Sequence, residues 1–128
     1  MVLPFALKSL QSQTLSAVAN DLASEMLDLR ILALKTGEAQ VMHIFPASSV
    51  YAVGKLNSEA AKRKKRELRS GVVFANTGGV PNGNGIEIAF FSNGTATPAR
   101  FALESEFRIK LEVQRLTGEV DISRPMQR

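Results

Sequence analysis

The sequence predicts an α+β fold, in which one long N-terminal helix packs on an antiparallel β-sheet or β-sandwich. Two observations support this prediction. Apolar residues recur with a helical period before Gly37, and with a period of two after it. In addition, 128 residues with 45% hydrophobic content suit a single folded domain. We therefore predict one domain over residues 1–128, with a helix in 1–37 and a β-rich part in 38–128.

The helix is predicted from Gln11 to Thr36. One apolar stripe lies within an arc of about 100° and consists of Leu15, Val18, Ala19, Leu22, Met26, Leu29 and Ala33. A second apolar row, at Leu27, Ile31 and Leu34, begins only in the C-terminal half. Because a helix that is apolar nearly all round is usually buried, we expect the C-terminal half to lie inside the domain. The stripe of the N-terminal half either covers the same core or contacts another subunit.

Gly37 ends the helix, as expected for a glycine just past the last turn. Strands are predicted at 40–45, 49–53, 72–74, 86–91, 97–103, 107–113 and 119–122. Asn93 and Gly94 predict a hairpin turn that pairs the fourth of these strands with the fifth. Thr117 and Gly118 predict a second tight turn. The tail from Ser123 is expected to be loose.

The positive charge of the chain is concentrated in one segment. The net charge is +4, and residues 55–69 hold seven basic side chains against Glu59 and Glu67. This segment is predicted to be a polar loop or a helical turn. Its most basic part is a candidate contact for nucleic acid or another anion, or for an acidic partner protein, although solvated charge is the commoner outcome. The residues concerned are Lys62, Arg63, Lys64, Lys65, Arg66 and Arg69.

Several classes of chemistry have no support in the sequence. The chain has no cysteine, which excludes disulfides and thiolate metal sites, and its one histidine, His43, has no recognisable triad partner nearby. Residues 76–85 are rich in glycine and asparagine but lack a phosphate-binding lysine, so a long loop is predicted. We predict no enzyme activity, no cofactor, no metal, and no catalytic residue.

Three stretches of the sequence resemble a known family. They are Ala33–Gly37 followed by Val41, then Phe90–Gly94, and finally Phe107–Val113 followed by Thr117–Val120. In this order they resemble the minor pseudopilins of the H class of type II secretion (GspH-like) and the related FimT minor pilins of type IV pili.

The resemblance implies a non-catalytic subunit of the type II secretion pseudopilus, which supports protein transport by contacts with other pseudopilins, with the inner-membrane platform and with exported proteins. Such proteins are processed and methylated, and an apolar N-terminal helix holds them in the bacterial inner membrane with this domain in the periplasm. We expect that helix to be missing from this chain. A FimT-like minor pilin that binds DNA through the basic segment is the alternative.

Two candidate contact surfaces accompany this resemblance. The helix surface for neighbouring subunits is predicted at Leu15, Val18, Leu22 and Met26. The partner-facing loop is predicted at Asn76, Val80, Asn82 and Asn84.

Overall fold

The computed structural model describes residues 5–59, 62–75 and 85–127. Helix α1 spans Phe5–Thr36. The strands are β1 (Gln40–Ile44), β2 (Val50–Lys55), β3 (Lys64–Glu67), β4 (Val73–Phe74), β5 (Ile86–Phe90), β6 (Ala99–Glu104), β7 (Phe107–Val113), β8 (Val120–Ile122) and β9 (Met126–Gln127). The α+β fold with a long N-terminal helix on antiparallel strands is therefore confirmed.

The described strands form two antiparallel sheets. Sheet A has the order β3-β2-β1-β5, and sheet B has the order β4-β6-β7-β8, with β9 also paired to β7. Helix α1 contacts β1 and β5 of sheet A and β6, β7 and β8 of sheet B. Both sheets thus use the same helix to cover their apolar faces, which is how two layers share one core.

The core combines the helix stripe with alternate residues of both sheets. The stripe is buried along its whole length, from Leu15 to Ala33. The two sheets contribute fully buried side chains that include Met42, Ile88 and Ile109. Tyr51, Phe74 and Phe101 form an aromatic series, with ring centroids 6.0 and 6.1 Å apart. These spacings are typical of stabilising edge-to-face contacts.

The sequence-based prediction of which helix half is buried is wrong. Leu27, Ile31 and Leu34 of the second row are about half exposed, at 49, 50 and 49%. Only one side of α1 meets the sheets, and the continuous stripe is the side that does. A second apolar row on a helix indicates a second contact surface. That surface does not have to be covered by the same domain.

The hairpin predicted at Asn93 and Gly94 forms only beside the turn, where Phe91 N donates to Thr95 O and Thr97 N donates to Ala89 O, both at 2.9 Å. β5 pairs with β1 in sheet A, whereas β6 pairs with β4 and β7 in sheet B. Phe90 and Ala96 form an isolated bridge between these hydrogen bonds, and the predicted pairing of the two strands beyond it is wrong. The turn therefore carries the chain from one sheet to the other, because each strand finds a longer partner elsewhere.

Two segments contain strands that were not predicted. Residues 64–67, predicted as a loop or helical turn, form edge strand β3 on β2. In the tail, Met126 and Gln127 pair with β7, and Ser123 N donates to Lys110 O at 2.9 Å. Their local sequences lack apolar alternation, so their strand conformation depends on the neighbouring strand.

The two helix faces lead to a direct prediction. Leu22→Glu should lower the free energy of unfolding by about 3–5 kcal/mol, because it buries an unpaired charge in the core. Leu27→Glu, at an exposed position of the same helix, should change it by less than about 0.5 kcal/mol. Urea unfolding followed by circular dichroism measures both. Equal losses would show that the helix lies on the sheets by a different face.

Candidate assembly surface

The side of α1 that faces away from the core carries an exposed apolar row. It consists of Leu27, Ile31 and Leu34, and we call it the back row. Spacing of four and then three residues places these side chains on one line along the helix. Isolated exposed apolar residues are ordinary, but three in line on a helix form a surface that another apolar helix can cover.

The back row borders a groove between α1 and β8. The groove has a volume of about 380 Å³ and includes Leu27 in its lining. Small helix residues, Ala23 and Ser24, form one wall, and Glu119 and Val120 form the other. The side chains of the back row form a ridge, and the groove lies next to it. Helices pack by fitting the ridges of one into the grooves of the other.

The two predicted glycine turns lie against the same half of the helix. Gly94 and Gly118 have φ values of +90° and +67°. Gly94 N donates to Phe91 O at 3.0 Å, and Gly118 N donates to Gln114 O at 2.9 Å. A Cβ atom at Gly118 would lie 2.9 Å from Cδ of Arg30 and 3.3 Å from the Gly94 carbonyl oxygen. The Arg30 side chain therefore packs closely against both turns, an arrangement that we call the Arg30 wedge. It fits because Gly118 has no side chain.

The remaining turn residues also lie as the sequence predicts. Gly37 has φ +76° and donates its N–H to Ala33 O at 2.9 Å, as expected at a helix end. Asn93 Oδ1 accepts from Thr95 N at 3.1 Å. Thr117 Oγ1 accepts from Glu119 N at 3.2 Å. These local hydrogen bonds fix the two turns independently of the sheets they connect.

The helix surface predicted for subunit contacts is corrected by the structure. Leu15, Val18, Leu22 and Met26 are at most 3% exposed and lie in the core. They position α1 on the sheets and are not available to a neighbouring protein in this form. The partner-facing loop predicted at Asn76, Val80, Asn82 and Asn84 lies outside the described residues.

The arginines of the basic segment fasten β3 to the helix. Arg66 Nη1 lies 2.9 Å from Oε1 of Glu25, and Arg69 pairs with Asp21. Glu25 also accepts a hydrogen bond from the Tyr51 hydroxyl. Burial and the hydrogen bond to Glu25 raise the pKa of Tyr51 well above its ordinary value of 10.0. An acidic flank of α1 therefore holds an otherwise polar edge strand in place.

Arg63 crosses the opposite face of sheet A. Its side chain is 8% exposed, and Nη1 lies 2.9 Å from Oε1 of Glu87 on β5. A Cβ atom at Gly54 would lie 3.1 Å from Cγ of Arg63, so this glycine leaves room for the arginine stem. His43 shares the same carboxylate, with Nδ1 at 3.5 Å, and stacks on Phe45. His43 thus belongs to a structural cluster on the sheet surface.

Lys62, Lys64 and Lys65 differ from the arginines. All three are exposed, and none of them makes an ion pair within residues 5–59, 62–75 and 85–127. Between Lys62 and Arg69 the basic residues therefore divide by type, because the arginines pair with carboxylates of the fold and the lysines face solvent. Lys55, at the start of the segment, pairs with Glu38 at 3.0 Å. The sequence showed the charge but could not show this division, because the carboxylates concerned are 24 to 48 residues away.

Two further observations limit the chemistry of the described residues. Within this part of the chain, no three His, Asp or Glu side chains are grouped so that they could hold a metal ion. No helix there is both long enough and apolar enough to span a membrane.

Comparison with solved structures identifies the fold. The type IV minor pilin FimU of Pseudomonas aeruginosa (strain PAO1), in space group P21, matches with a TM-score of 0.65 and 19% identity, over 94% of this chain and 92% of that chain. The minor pseudopilin EpsH from the Type 2 Secretion System of Vibrio cholerae matches with a TM-score of 0.61 and 16% identity, over 86% and 96%. The fold is pilin-like.

A second crystal form of FimU, in space group P65, gives a TM-score of 0.62 at 16% identity, over 85% of this chain and 92% of that chain. No protein-family model matches the sequence, and no curated protein matches it. The pilin-like fold expected from the sequence resemblance is confirmed, while the H class within it stays a prediction.

The wedge at Arg30 gives a test with a matched control. Gly118→Ala and Gly71→Ala both place a side chain at positive φ, +67° and +71°, which costs about 1–2 kcal/mol. Only Gly118 has neighbours within 4 Å of the added atom. Gly118→Ala should therefore cost about 1–3 kcal/mol more in thermal or urea unfolding.

Arg30→Ala should recover part of that additional loss in the double variant, because it removes the atom that the new methyl group meets. Equal losses for the two glycine variants, or no coupling to Arg30, would contradict the wedge.

The raised pKa of Tyr51 predicts a pH dependence of stability. The folded state binds the phenolic proton more tightly than the unfolded state, so stability is full below pH 10 and falls as the pH rises above it. Between about pH 9 and pH 11, the parent chain should lose more unfolding free energy than Tyr51→Phe.

The chain has a single tyrosine, so tyrosinate absorbance reports this group alone. Parallel losses of stability in the parent and the variant would show that burial and the Glu25 contact do not raise the pKa of this hydroxyl.

Proposed function

We propose that this chain is a structural subunit of a filament of the type IV pilus or type II secretion class, and that it acts by packing against other subunits. The observation that carries the proposal is the back row, Leu27, Ile31 and Leu34, on the outer side of a helix whose inner side is already buried. A pilin-like fold supports it. No pocket chemistry is required, since the function consists of contacts between proteins.

Within this class we propose the more specific role of a minor pseudopilin of the H class in the type II secretion pseudopilus. The order of the three sequence stretches that resemble the family supports this role, as does the EpsH-like fold. The proposal includes location in the bacterial inner membrane through an apolar segment before α1, with the domain in the periplasm. It also includes the absence of enzyme activity.

The groove and the back row suggest how a neighbour would bind. A helix laid along Leu27, Ile31 and Leu34 would bury apolar area at about 25 cal/mol per Å² before the entropic cost of association. The small residues Ala23 and Ser24 next to Leu27 would allow its backbone to approach closely. Repetition of this contact from subunit to subunit would produce an open array.

A DNA-binding minor pilin is the weaker alternative. Arg63, Arg66 and Arg69 are already paired with Glu87, Glu25 and Asp21. Only three lysines of the segment are left for phosphates, and the segment has no aromatic side chain on which bases could stack.

The proposal is tested by changing the back row without changing the core. Ile31→Asp should leave the unfolding free energy within about 0.5 kcal/mol, because the side chain is half exposed. It should prevent incorporation into filaments, because a charge would have to be buried between helices. Met126→Asp, at a 43% exposed methionine of β9, is the control and should assemble normally.

The measurement can use the absence of cysteine from the chain. Ile31→Cys, labelled with a reagent that couples to the thiol and then photo-cross-links to any neighbouring protein, should form cross-linked species in cells that assemble the filament, and Met126→Cys should not. Normal assembly of Ile31→Asp would refute the back row as the contact. Assembly of neither Ile31→Asp nor Met126→Asp, with both folded, would point to a general surface effect.

A further inference from the structure

Strand β3 is an end strand of sheet A, and no described strand pairs with its outer edge. Its four residues, Lys64–Glu67, are all exposed, and among the described strands it pairs only with β2. One helix flank lies near it, where Arg66 reaches Glu25, but that contact involves side chains and not the strand backbone. An exposed strand edge is a template on which another extended segment can pair.

The hydrogen-bond register shows which backbone groups are available. Leu68 N donates to Ser49 O at 2.8 Å, which makes these two residues a bonded pair. Because bonded pairs alternate along an antiparallel ladder, Lys64 and Arg66 direct their backbone groups toward β2. Lys65 and Glu67 therefore direct their N–H and C=O groups outward, where a further strand would meet them.

The charge along this edge is mainly positive. Arg66 is neutralised by Glu25, and the Glu67 carboxylate accepts a hydrogen bond from Ser49 Oγ. Lys62, Lys64 and Lys65 have no ion-pair partner in the part of the chain that the structure describes. An incoming strand would thus meet the outward backbone groups of Lys65 and Glu67, flanked by three lysines that outnumber the single Glu67 carboxylate.

We propose that the outer edge of β3 accepts an extended acidic segment of a partner protein as a fifth strand of sheet A. Main-chain hydrogen bonds to Lys65 and Glu67 would hold the segment, and acidic side chains would pair with the lysines. The inference does not depend on the filament proposal, because it concerns a different side of the domain from the back row.

The same lysines determine which strands cannot pair stably with the outer edge of β3. A second copy of β3 would place lysine beside lysine, and like charges in register destabilise a pair of strands. Lysine-rich edges block pairing in natural proteins for this reason. The block is selective, however, since the charge that repels a basic or identical strand attracts an acidic one.

A peptide also fits this edge better than a nucleic acid does. Duplex DNA would use only the three lysines and would leave the outward N–H and C=O groups of Lys65 and Glu67 without a ladder. An acidic strand uses both the charges and the backbone groups. Nucleic acid is therefore the competing outcome of the experiment and not the proposal.

The test uses a capped peptide of about nine residues, the length of a long strand, that alternates threonine with glutamate. Its partner peptide alternates threonine with lysine. By fluorescence anisotropy with the full chain, the glutamate peptide should bind at least about tenfold more tightly than the lysine peptide at low salt. Added salt should weaken that binding, because the charges are exposed.

Two variants at one position separate strand addition from simple charge attraction. Glu67→Gln removes a negative charge and keeps the outward N–H, so it should bind the glutamate peptide as tightly as the parent or more tightly. Glu67→Pro removes the same charge and also the outward N–H, without removing a hydrogen bond to β2, so it should lose at least about tenfold in affinity. Binding by Glu67→Pro as tight as that by Glu67→Gln would overturn the proposal.

Amide hydrogen exchange of the parent chain provides a readout that does not depend on the folding of the proline variant. The Lys65 and Glu67 amides should become at least about tenfold slower to exchange when the glutamate peptide is bound. Unchanged exchange at both amides would overturn the proposal. So would tight binding of duplex DNA with no binding of the peptide, which would assign the lysines to a phosphate backbone.

Discussion

The burial of one helix stripe between two sheets is the interaction on which the rest of this structure depends. Leu15, Leu22 and Met26 are at most 2% exposed, and each such side chain contributes about 1.5–3 kcal/mol relative to an exposed one. The turn at Asn93 and Gly94 joins sheet A to sheet B, and both sheets pack on the same helix. Without the stripe, neither sheet would have a cover for its apolar face.

That constraint fixes the role of every other side of α1. One flank, through Asp21 and Glu25, holds β3 by ion pairs. The other flank, through Arg30, receives the two glycine turns. With the inner side and both flanks occupied by the domain itself, the back row is left over, and its apolar character in the C-terminal half has no explanation within the described part of the domain. The back row is therefore the side of the helix that the described part of the domain leaves exposed, and the proposed subunit contact uses that side.

The sequence predicts the features that depend on local chemistry. The extent of β7 and the C-terminal end of the helix follow from periodicity and from Gly37, and both turns follow from glycines that must adopt positive φ. Features that depend on a distant partner are not predictable in this way. The turn at Asn93 does not reveal that β5 prefers β1 to β6, and the sequence of Lys64–Glu67 shows no sign of strand conformation until Tyr51 and Glu25 are placed beside it.

The error over the helix face has the same origin. Periodicity gives the directions of two apolar rows, Leu15–Ala33 and Leu27–Leu34, but it does not say which partner each row meets. Which row stays exposed depends on where the sheets pack. They cover the longer row, Leu15–Ala33, and leave the shorter one exposed.

The division of the basic segment by residue type adds a final step. Arginine carries a planar, fixed set of donors suited to carboxylates, whereas lysine carries a strongly hydrated point charge on a flexible stem. Between Lys62 and Arg69 the three arginines pair within the fold and the three lysines remain in solvent. The acidic residues Asp21, Glu25 and Glu87 thus pair with the three arginines and leave the three lysines without an ion-pair partner in the described part of the chain. The positive charge that the described carboxylates leave unpaired at this edge therefore lies on lysines that face solvent, where another molecule could bind them.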